Sequence, residues 1–410
     1  MRVYLHTFGC KANQYDTEVV RQALEGSGAE PVDDPALADA AVVNSCTVTH
    51  VAEAKMRGLV RRLARRRPGF QTVVMGCAAA LDDGTIAGLP AVQAVVAGAN
   101  PSRVLSALGL AAPNAGLLRS FARGSRAWLK IQDGCDEHCT FCATTLARGV
   151  NRSRSLDELV AEAQLLAGQH EEIVLTGVHI GTYGRDGTLT LGRLVEALVT
   201  RVPRVRFRLS SVEATEVDDR LAELMIGEPL RLAPHLHAPL QSGSDRVLKR
   251  MGRHWYTARA YRQRIEWLAA RLPRLGLGAD VIVGFPGETA ADHQATVELV
   301  SALPFTYLHV FPYSERPGAS ARRLGRAVDP RVAAARGAEL RALAASHRRR
   351  YQARRDGGTA DVVLMTRQAG RFEGLTEDYL TVYLAADRAG PLRLRATLRQ
   401  QGGVLLAEAA

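Results

Sequence analysis

The sequence predicts an α/β fold in three parts: an N-terminal parallel α/β domain, a partial (βα)6 barrel and a small C-terminal all-β barrel. Three observations predict it. Short apolar runs alternate with amphipathic stretches over residues 1–108, and again from 126 to 345. Each of these halves carries three of the six cysteines, placed at the ends of apolar runs. The last 55 or so residues contain short apolar runs with no helical period.

In the first part, Arg2–Thr7 reads as a strand and Thr17–Leu24 as a helix. Ala41–Asn44 is a second strand, Ala52–Arg66 a long basic helix, Gln71–Met75 a third strand and Ala94–Ala97 a fourth. Cys10, Cys46 and Cys77 follow the first three strands at separations of 36 and 31 residues, each about one βαβ unit. Open parallel sheets bind ligands beyond the carboxyl ends of their strands, so three cysteines remote in sequence should meet at one sheet edge. Singly, each reads better as a small buried hydrophobe. All three at strand ends favour a shared site.

Residues 111–125 read as a linker. Six strands follow, near 127–132, 172–176, 205–210, 235–239, 279–283 and 306–311, with helices between. In such a barrel the chemistry belongs at the carboxyl ends of the strands. A helix over 331–355 leads to five short strands: Thr359–Met365, Gly374–Leu375, Tyr379–Leu384, Leu392–Leu398 and Gly403–Leu406. They suggest a small barrel of the oligonucleotide-binding kind, or one with a purely structural role.

Composition narrows the partners. The chain has 53 Lys+Arg against 42 Asp+Glu, a net charge of +11, and only four of the cations are lysines (Lys11, Lys55, Lys130, Lys249). Arginine-rich composition follows from GC-rich DNA as readily as from phosphate binding. Two clusters favour a nucleic-acid face: Arg61, Arg62, Arg65, Arg66 and Arg67, and Arg348, Arg349, Arg350, Arg354 and Arg355. No apolar run approaches the roughly 18 residues of a membrane span, and Met-Arg-Val-Tyr-Leu-His starts a strand. No membrane partner is expected, and the cytoplasm, where thiols stay reduced, is the expected location.

The most specific signal is Gly-Cys-Asp-Glu-His-Cys-Thr-Phe-Cys, which spaces Cys135, Cys139 and Cys142 as C-x3-C-x2-C just after the first barrel strand. Iron–sulfur clusters usually take four thiolates, so three leave one iron open for another ligand. Zinc would need a fourth ligand, for which His138 lies inside the loop. His235, His237 and His309 fall in strands and read as core or lining histidines rather than metal ligands.

This cysteine run on the first strand of a six-fold βα series resembles the radical S-adenosylmethionine (SAM) superfamily. The resemblance implies a cluster whose open iron chelates the methionyl group of SAM and whose electron splits the sulfonium. It places Phe141 beside the adenine, and Thr176 and Gly177 at a glycine-rich turn near the methionyl amine. It further implies SAM contacts for Ser211 and Glu213 after the third strand, Gln241 after the fourth and Gly284 after the fifth.

Over nearly all 410 residues the chain resembles the methylthiotransferases, in which this barrel is joined to a three-cysteine domain and a TRAM domain. That resemblance implies two 4Fe-4S clusters, one on Cys135, Cys139 and Cys142 as the catalytic set, the other on Cys10, Cys46 and Cys77. Its implied organisation is 1–110 for the methylthiotransferase domain with the auxiliary cluster, 126–345 for the radical SAM core and 346–410 for the TRAM-like RNA-binding domain. Gly9-Cys10-Lys11-Ala12-Asn13-Gln14 and His235–Asp245 resemble the branch (MtaB type) that adds a methylthio group to C2 of N6-threonylcarbamoyladenosine 37 of tRNA. The isopentenyladenosine branch has Gln-Met-Asn-Glu after this cysteine, and the ribosomal-protein branch Gly-Cys-Pro-Lys-Asn. The implied partners are the tRNA anticodon loop and an electron donor such as flavodoxin or ferredoxin. Two other readings stay open: methylthiolation of isopentenyladenosine or a ribosomal-protein aspartate, and a non-catalytic iron–sulfur RNA-binding protein. The chain departs from the family at Ala143-Thr144-Thr145-Leu146, where Ile-Ile-Pro-Tyr is usual.

Overall fold

The computed structural model describes residues 1–410 except 48–49, 67–68, 114–115, 123, 186, 188, 369–370, 386–391 and 410, and except the side chains of 50 and 366–368. Arg67 of the first arginine cluster thus lies outside the described residues.

The N-terminal elements are β1 (Arg2–Thr7), α1 (Lys11–Gly26), β2 (Glu30–Val32), β3 (Ala40–Ser45), α2 (His50–Arg66), β4 (Gln71–Gly76), α3 (Cys77–Ala80), β5 (Val92–Ala97) and α4 (Pro101–Ala107). The strands pair in parallel in the order β2-β1-β3-β4-β5. Central β3 is buried along its whole length, as a strand covered on both faces must be. Val20, Leu24, Val104 and Leu105 of α1 and α4 pack one face, and Met56, Val60 and Leu63 of α2 the other. Two differences from the sequence reading matter. The edge strand β2 is too short to carry a period. Helix α1 starts at Lys11 rather than Thr17, because its polar first turns, Asn13, Asp16 and Thr17, are buried against the sheet edge rather than looped out.

The second part comprises β6 (Arg126–Lys130), β7 (Gln132–Asp133), α5 (Thr144–Arg148), β8 (Arg152–Ser153), α6 (Leu156–Ala167), β9 (Glu172–Thr176), α7 (Leu191–Arg201), β10 (Arg206–Leu209) and α8 (Asp219–Gly227). It continues through β11 (His235–His237), α9 (Asp245–Arg250), α10 (Ala258–Arg271), β12 (Gly276–Val283), α11 (Ala290–Ala302), β13 (Tyr307–Pro312) and α12 (Pro330–Arg355). Side chains of Ser155, Thr190, Asp218, Ser244, Thr257 and Thr289 cap α6 to α11 by accepting a backbone N–H from the first turn. Six strands form two parallel sheets, β10-β9-β6 and β11-β12-β13, tied by the bridges Phe207–Leu232 and Ser211–His237. Strands β6 and β13 are edges that do not pair with each other, so the barrel has an open side.

Alternation along these strands sorts the residues into two populations. Ala127, Leu129, Ile173, Leu175, Phe207, Leu209, Leu236, Leu277, Ala279 and Val281 join the core under the helices. The alternate positions face inward and are polar: Arg126, Glu172, Arg206, Arg208, His235, His237, Asp280 and His309.

The last part, β14 (Thr359–Gln368), β15 (Arg371–Thr376), β16 (Thr381–Ala385), β17 (Arg393–Gln401) and β18 (Val404–Ala409), closes into a barrel in the order β14-β15-β16-β18-β17. It covers the amino-terminal end of the larger barrel. Arg206 reaches Asp361 (3.0 Å), Arg208 reaches the carbonyls of Thr376 and Glu377 (2.9 and 3.0 Å), and Tyr379 stacks on His235 at 4.2 Å. Helix α12 runs unbroken from one barrel to the other, so the boundary expected at 345 falls within a helix. Arg355 leaves the second arginine cluster: it is buried against Glu377 and Asp378.

Candidate active site at two cysteine sets

Cys10 is the N-cap of α1, Cys46 follows β3 and Cys77 opens α3 after β4. Parallel pairing of the three strands delivers the cysteines to one edge. Asn13 joins them: its Oδ1 lies 3.2 Å from Cys10 Sγ, and its Nδ2 4.0 Å from Cys77 Sγ and 2.8 Å from Asn44 Oδ1. Gly76, the residue before Cys77, has φ +97°, and a Cβ there would fall on Asn44 Oδ1 and the Ser45 carbonyl. Only glycine fits that approach. Burial raises the Cys77 thiol pKa, although Arg148 lies 3.2 Å away.

Cys135, Cys139 and Cys142 sit at the carboxyl end of the barrel, around a cavity of about 240 Å³. Phe141, Ser211, Glu213 and Gln241 line that cavity together with His179, Arg253, Trp255, Thr144 and Asp280. Thr176, Gly177 and Gly284 do not line it. Thr176 is buried with its carbonyl bonded to Ile131 N–H, Gly177 packs on Gln132 and Ile180, and Gly284 donates its N–H to Glu288 while packing on Ala333. These three shape the turns behind the cavity wall. His138 is exposed.

Each thiol set has a basic neighbour that the motif did not indicate. His179 lies 3.7 Å from Cys135 Sγ and 2.9 Å from Glu216. Burial lowers its pKa, but those two hydrogen bonds outweigh it and raise the imidazole to about 10. Arg253 lies 3.6 Å from Cys139 Sγ and pairs with Glu213, whose other oxygen, Oε2, is buried without a partner. Burial still pushes the Cys139 thiol up to about 12, so it needs more than Arg253 to ionise. In the segment that departs from the family, Thr144 Oγ1 stands 3.0 Å from Cys142 Sγ.

The seam between the two sets is charged and largely buried. Arg148 of α5 reaches Cys77 Sγ, Asp16 of α1 (3.1 Å) and Asp133 (3.0 Å). Lys130 pairs with the same two carboxylates, and Tyr15 donates to Glu162 (2.9 Å). Burial would raise Asp133, but Lys130 and Arg148 hold it down to about 2. The N-terminal domain thus closes the open side of the barrel with the two cysteine sets on either side of α5.

Below the cavity the barrel interior stays polar. Tyr307 hydrogen-bonds His235 (2.8 Å) and His237 (3.0 Å), and Asp280 contacts His237 and His309 at 3.1 Å each. Gly278 permits this: a Cβ there would strike the Tyr307 ring. Lys11, next to Cys10 at the start of α1, feels the charges of Arg126, Cys10, Arg208 and Asp280. Burial, then Arg126, lowers its pKa. A larger cavity of about 480 Å³, between Leu230, Arg271 and Asp361, lies at the far end of the barrel among no cysteines.

Residues 2–98 match the model of the Uncharacterized protein family UPF0004, and residues 129–300 that of the Radical SAM superfamily. The threonylcarbamoyladenosine tRNA methylthiotransferase MtaB of Bacillus subtilis is 36% identical, over 93% of this chain and 89% of its own. Its namesake in Aquifex aeolicus is 33% identical, over 93% and 96%. A tRNA-2-methylthio-N(6)-dimethylallyladenosine synthase of Cereibacter sphaeroides is 32% identical, over 95% and 93%. Among solved structures, the radical S-adenosylmethionine methyltransferase TsrM of Kitasatospora setae superposes with a TM-score of 0.61 at 15% identity, covering 78% of this chain and 76% of that one. That last likeness is one of fold.

Proposed function

Since the chain belongs to the radical SAM methylthiotransferase family, matching its MtaB members over most of its length, we propose that it adds a methylthio group to C2 of N6-threonylcarbamoyladenosine 37 of tRNA. The observation that carries this reading is the seam: one arginine, Arg148, spans from the α1 carboxylate Asp16 to Cys77, while its helix follows directly on Cys142. Arg148 thereby links the elements that carry the two three-thiol sets at the open side of the barrel.

Membership of the radical SAM family brings a 4Fe-4S cluster and SAM, which together supply reductive cleavage of the sulfonium. Cys135, Cys139 and Cys142 would hold that cluster, with Phe141, Ser211, Glu213 and Gln241 around SAM. The residues present fit: a buried, unpartnered Glu213 Oε2 awaits a hydroxyl, and the cavity is flanked by three thiols and no fourth cysteine. We extend the reading to a second 4Fe-4S cluster on Cys10, Cys46 and Cys77. His179, Arg253 and Arg148 place cations beside thiols of both sets, which favours their ionised, ligating form. The largely buried seam would limit the access of water from this side, as chemistry on an unactivated C–H bond requires.

Exposed Arg61, Arg62, Arg65 and Arg66 on α2 and Arg349, Arg350 and Arg354 on α12 would contact tRNA phosphates. The electron would come from an external donor such as flavodoxin or ferredoxin. No described helix is long and apolar enough to cross a membrane, in keeping with a place in the cytoplasm.

The test is anaerobic reconstitution followed by turnover with tRNA bearing the threonylcarbamoyl group. About eight irons per chain, 5′-deoxyadenosine and a methylthio mass gain on that base are expected. About four irons with SAM cleavage and no sulfur transfer would refute the two-cluster reading. Methylthiolation only of dimethylallyladenosine tRNA would move the enzyme to the other tRNA branch.

A further inference from the structure

Resting on that substrate reading, we propose that Lys11, backed by Arg126, binds the carboxylate of the threonylcarbamoyl group and thereby selects this base. Two donors where α1 meets the barrel lack acceptors for their side chains. Lys11 has no hydrogen bond or ion pair among the described residues, and Arg126 Nη2 is buried without a partner, although Nε of the same residue bonds Glu172 at 2.7 Å. They belong to one neighbourhood: α1, which opens with Lys11, packs against β6, which opens with Arg126, and the charges felt by Lys11 are those of Arg126, Cys10, Arg208 and Asp280.

The charges there do not balance. Arg126, Arg206 and Arg208 share Glu172, and Arg206 also takes Asp361. Lys11 adds a further cation, while Asp280 is engaged by His237 and His309. A largely desolvated cation such as Lys11, left without a partner, is costly unless an anion joins it. The missing charge is negative and small enough to enter a barrel.

The location fits the base. Lys11 follows Cys10, a proposed ligand of the auxiliary cluster, and Asp280 lines both this interior and the cavity at Cys135, Cys139 and Cys142. On adenine, C2 and the carbon bearing N6 flank N1 on one edge, so an N6 substituent lies within a few ångström of the reacting carbon. A threonylcarbamoyl group there presents one carboxylate; a dimethylallyl group presents none. Relatives named for both bases are 32–36% identical to this chain, so overall identity discriminates the two poorly, whereas a fixed cation does so directly.

The experiment compares turnover of tRNA carrying the threonylcarbamoyl base as free acid and as its methyl ester, in wild type, Lys11→Met and Lys11→Arg. Taking the acid-to-ester ratio of kcat/KM within each protein cancels any general loss of folding or cluster loading. Wild type should prefer the acid by about ten- to a hundredfold, the worth of one charge-assisted hydrogen bond. Lys11→Met should bring the ratio near one, and Lys11→Arg should keep most of the preference. An equal ratio in wild type and Lys11→Met overturns the proposal. A wild type that modifies neither acid nor ester but does modify dimethylallyladenosine tRNA overturns the substrate reading itself.

Discussion

Glu172 offers the sharpest test of how the barrel is held shut at its amino-terminal end. Its carboxylate is fully buried and takes Nε of Arg126 and Arg206 at 2.7 Å and Nε and Nη2 of Arg208 at 2.9 Å. The three guanidiniums together hold its pKa well below the usual carboxylate range despite the opposing effect of burial. Glu172→Gln keeps shape and one acceptor but removes the charge. Arg206 retains Asp361 and Arg208 retains two carbonyls, whereas Arg126 keeps a weak contact to Met365 and the face of Trp128 but no anion. Breaking one buried pair costs about 3–5 kcal/mol, and at least one is broken outright. Against a domain stability of about 5–15 kcal/mol, the expected loss is a fifth or more. Urea unfolding of the apo protein, followed by circular dichroism, reads this as a lowered midpoint with unchanged slope. Adding Arg208→Met should recover part of the loss by removing one of the repelling cations. A Glu172→Gln unfolding free energy within about 1 kcal/mol of wild type would refute the claim that this carboxylate neutralises the cluster.

Three further outcomes follow from the same contacts. Asn13→Ala removes the amide shared by Cys10, Cys77 and Asn44, and should lower reconstituted iron from about eight to about four per chain while SAM cleavage persists. Arg148→Met leaves Asp16 and Asp133 to Lys130 alone; a displacement of about 1 Å between the two halves should cost about a hundredfold in methylthio transfer, measured against unchanged iron content. Asp361 has a depressed pKa: burial raises it, but Arg393 and Arg206 lower it further. Its contribution is therefore complete above the unfolded value of about 3.9 and lost as pH falls through the folded one, so limited proteolysis of the apo protein should free the C-terminal barrel only below about pH 4.

The cysteines were legible because their chemistry imposes a spacing. The strands beneath them were legible because burial on both faces leaves continuous apolar runs, as in β3 and β4. The helix α1 was read six residues short at its start, and that stretch holds Asn13 and Asp16. Residues that serve a site break the apolar period, so pattern reading turns them into loop. His179, Arg148 and Arg253 were missed for a different reason: each meets its cysteine across 44 to 114 residues of sequence, a distance no local pattern spans. The polar lining of the barrel could have been found by counting alternate positions, since His235 and His237, and Arg206 and Arg208, stand two residues apart on single strands.

The small barrel at the end of the chain is also a cork. Tyr379, in a left-handed backbone conformation with φ +67° that bulky residues seldom adopt, pushes its ring onto His235 and sits 5.3 Å from Tyr307, two members of the hydrogen-bonded column that ends at Asp280. A chain truncated after Arg355 would therefore not simply be an enzyme with a weaker grip on RNA. It would be an enzyme unstoppered, with water admitted to the underside of its reaction chamber and Arg206 and Arg208 stripped of their caps. Loss of activity on such a deletion measures plumbing as much as recognition.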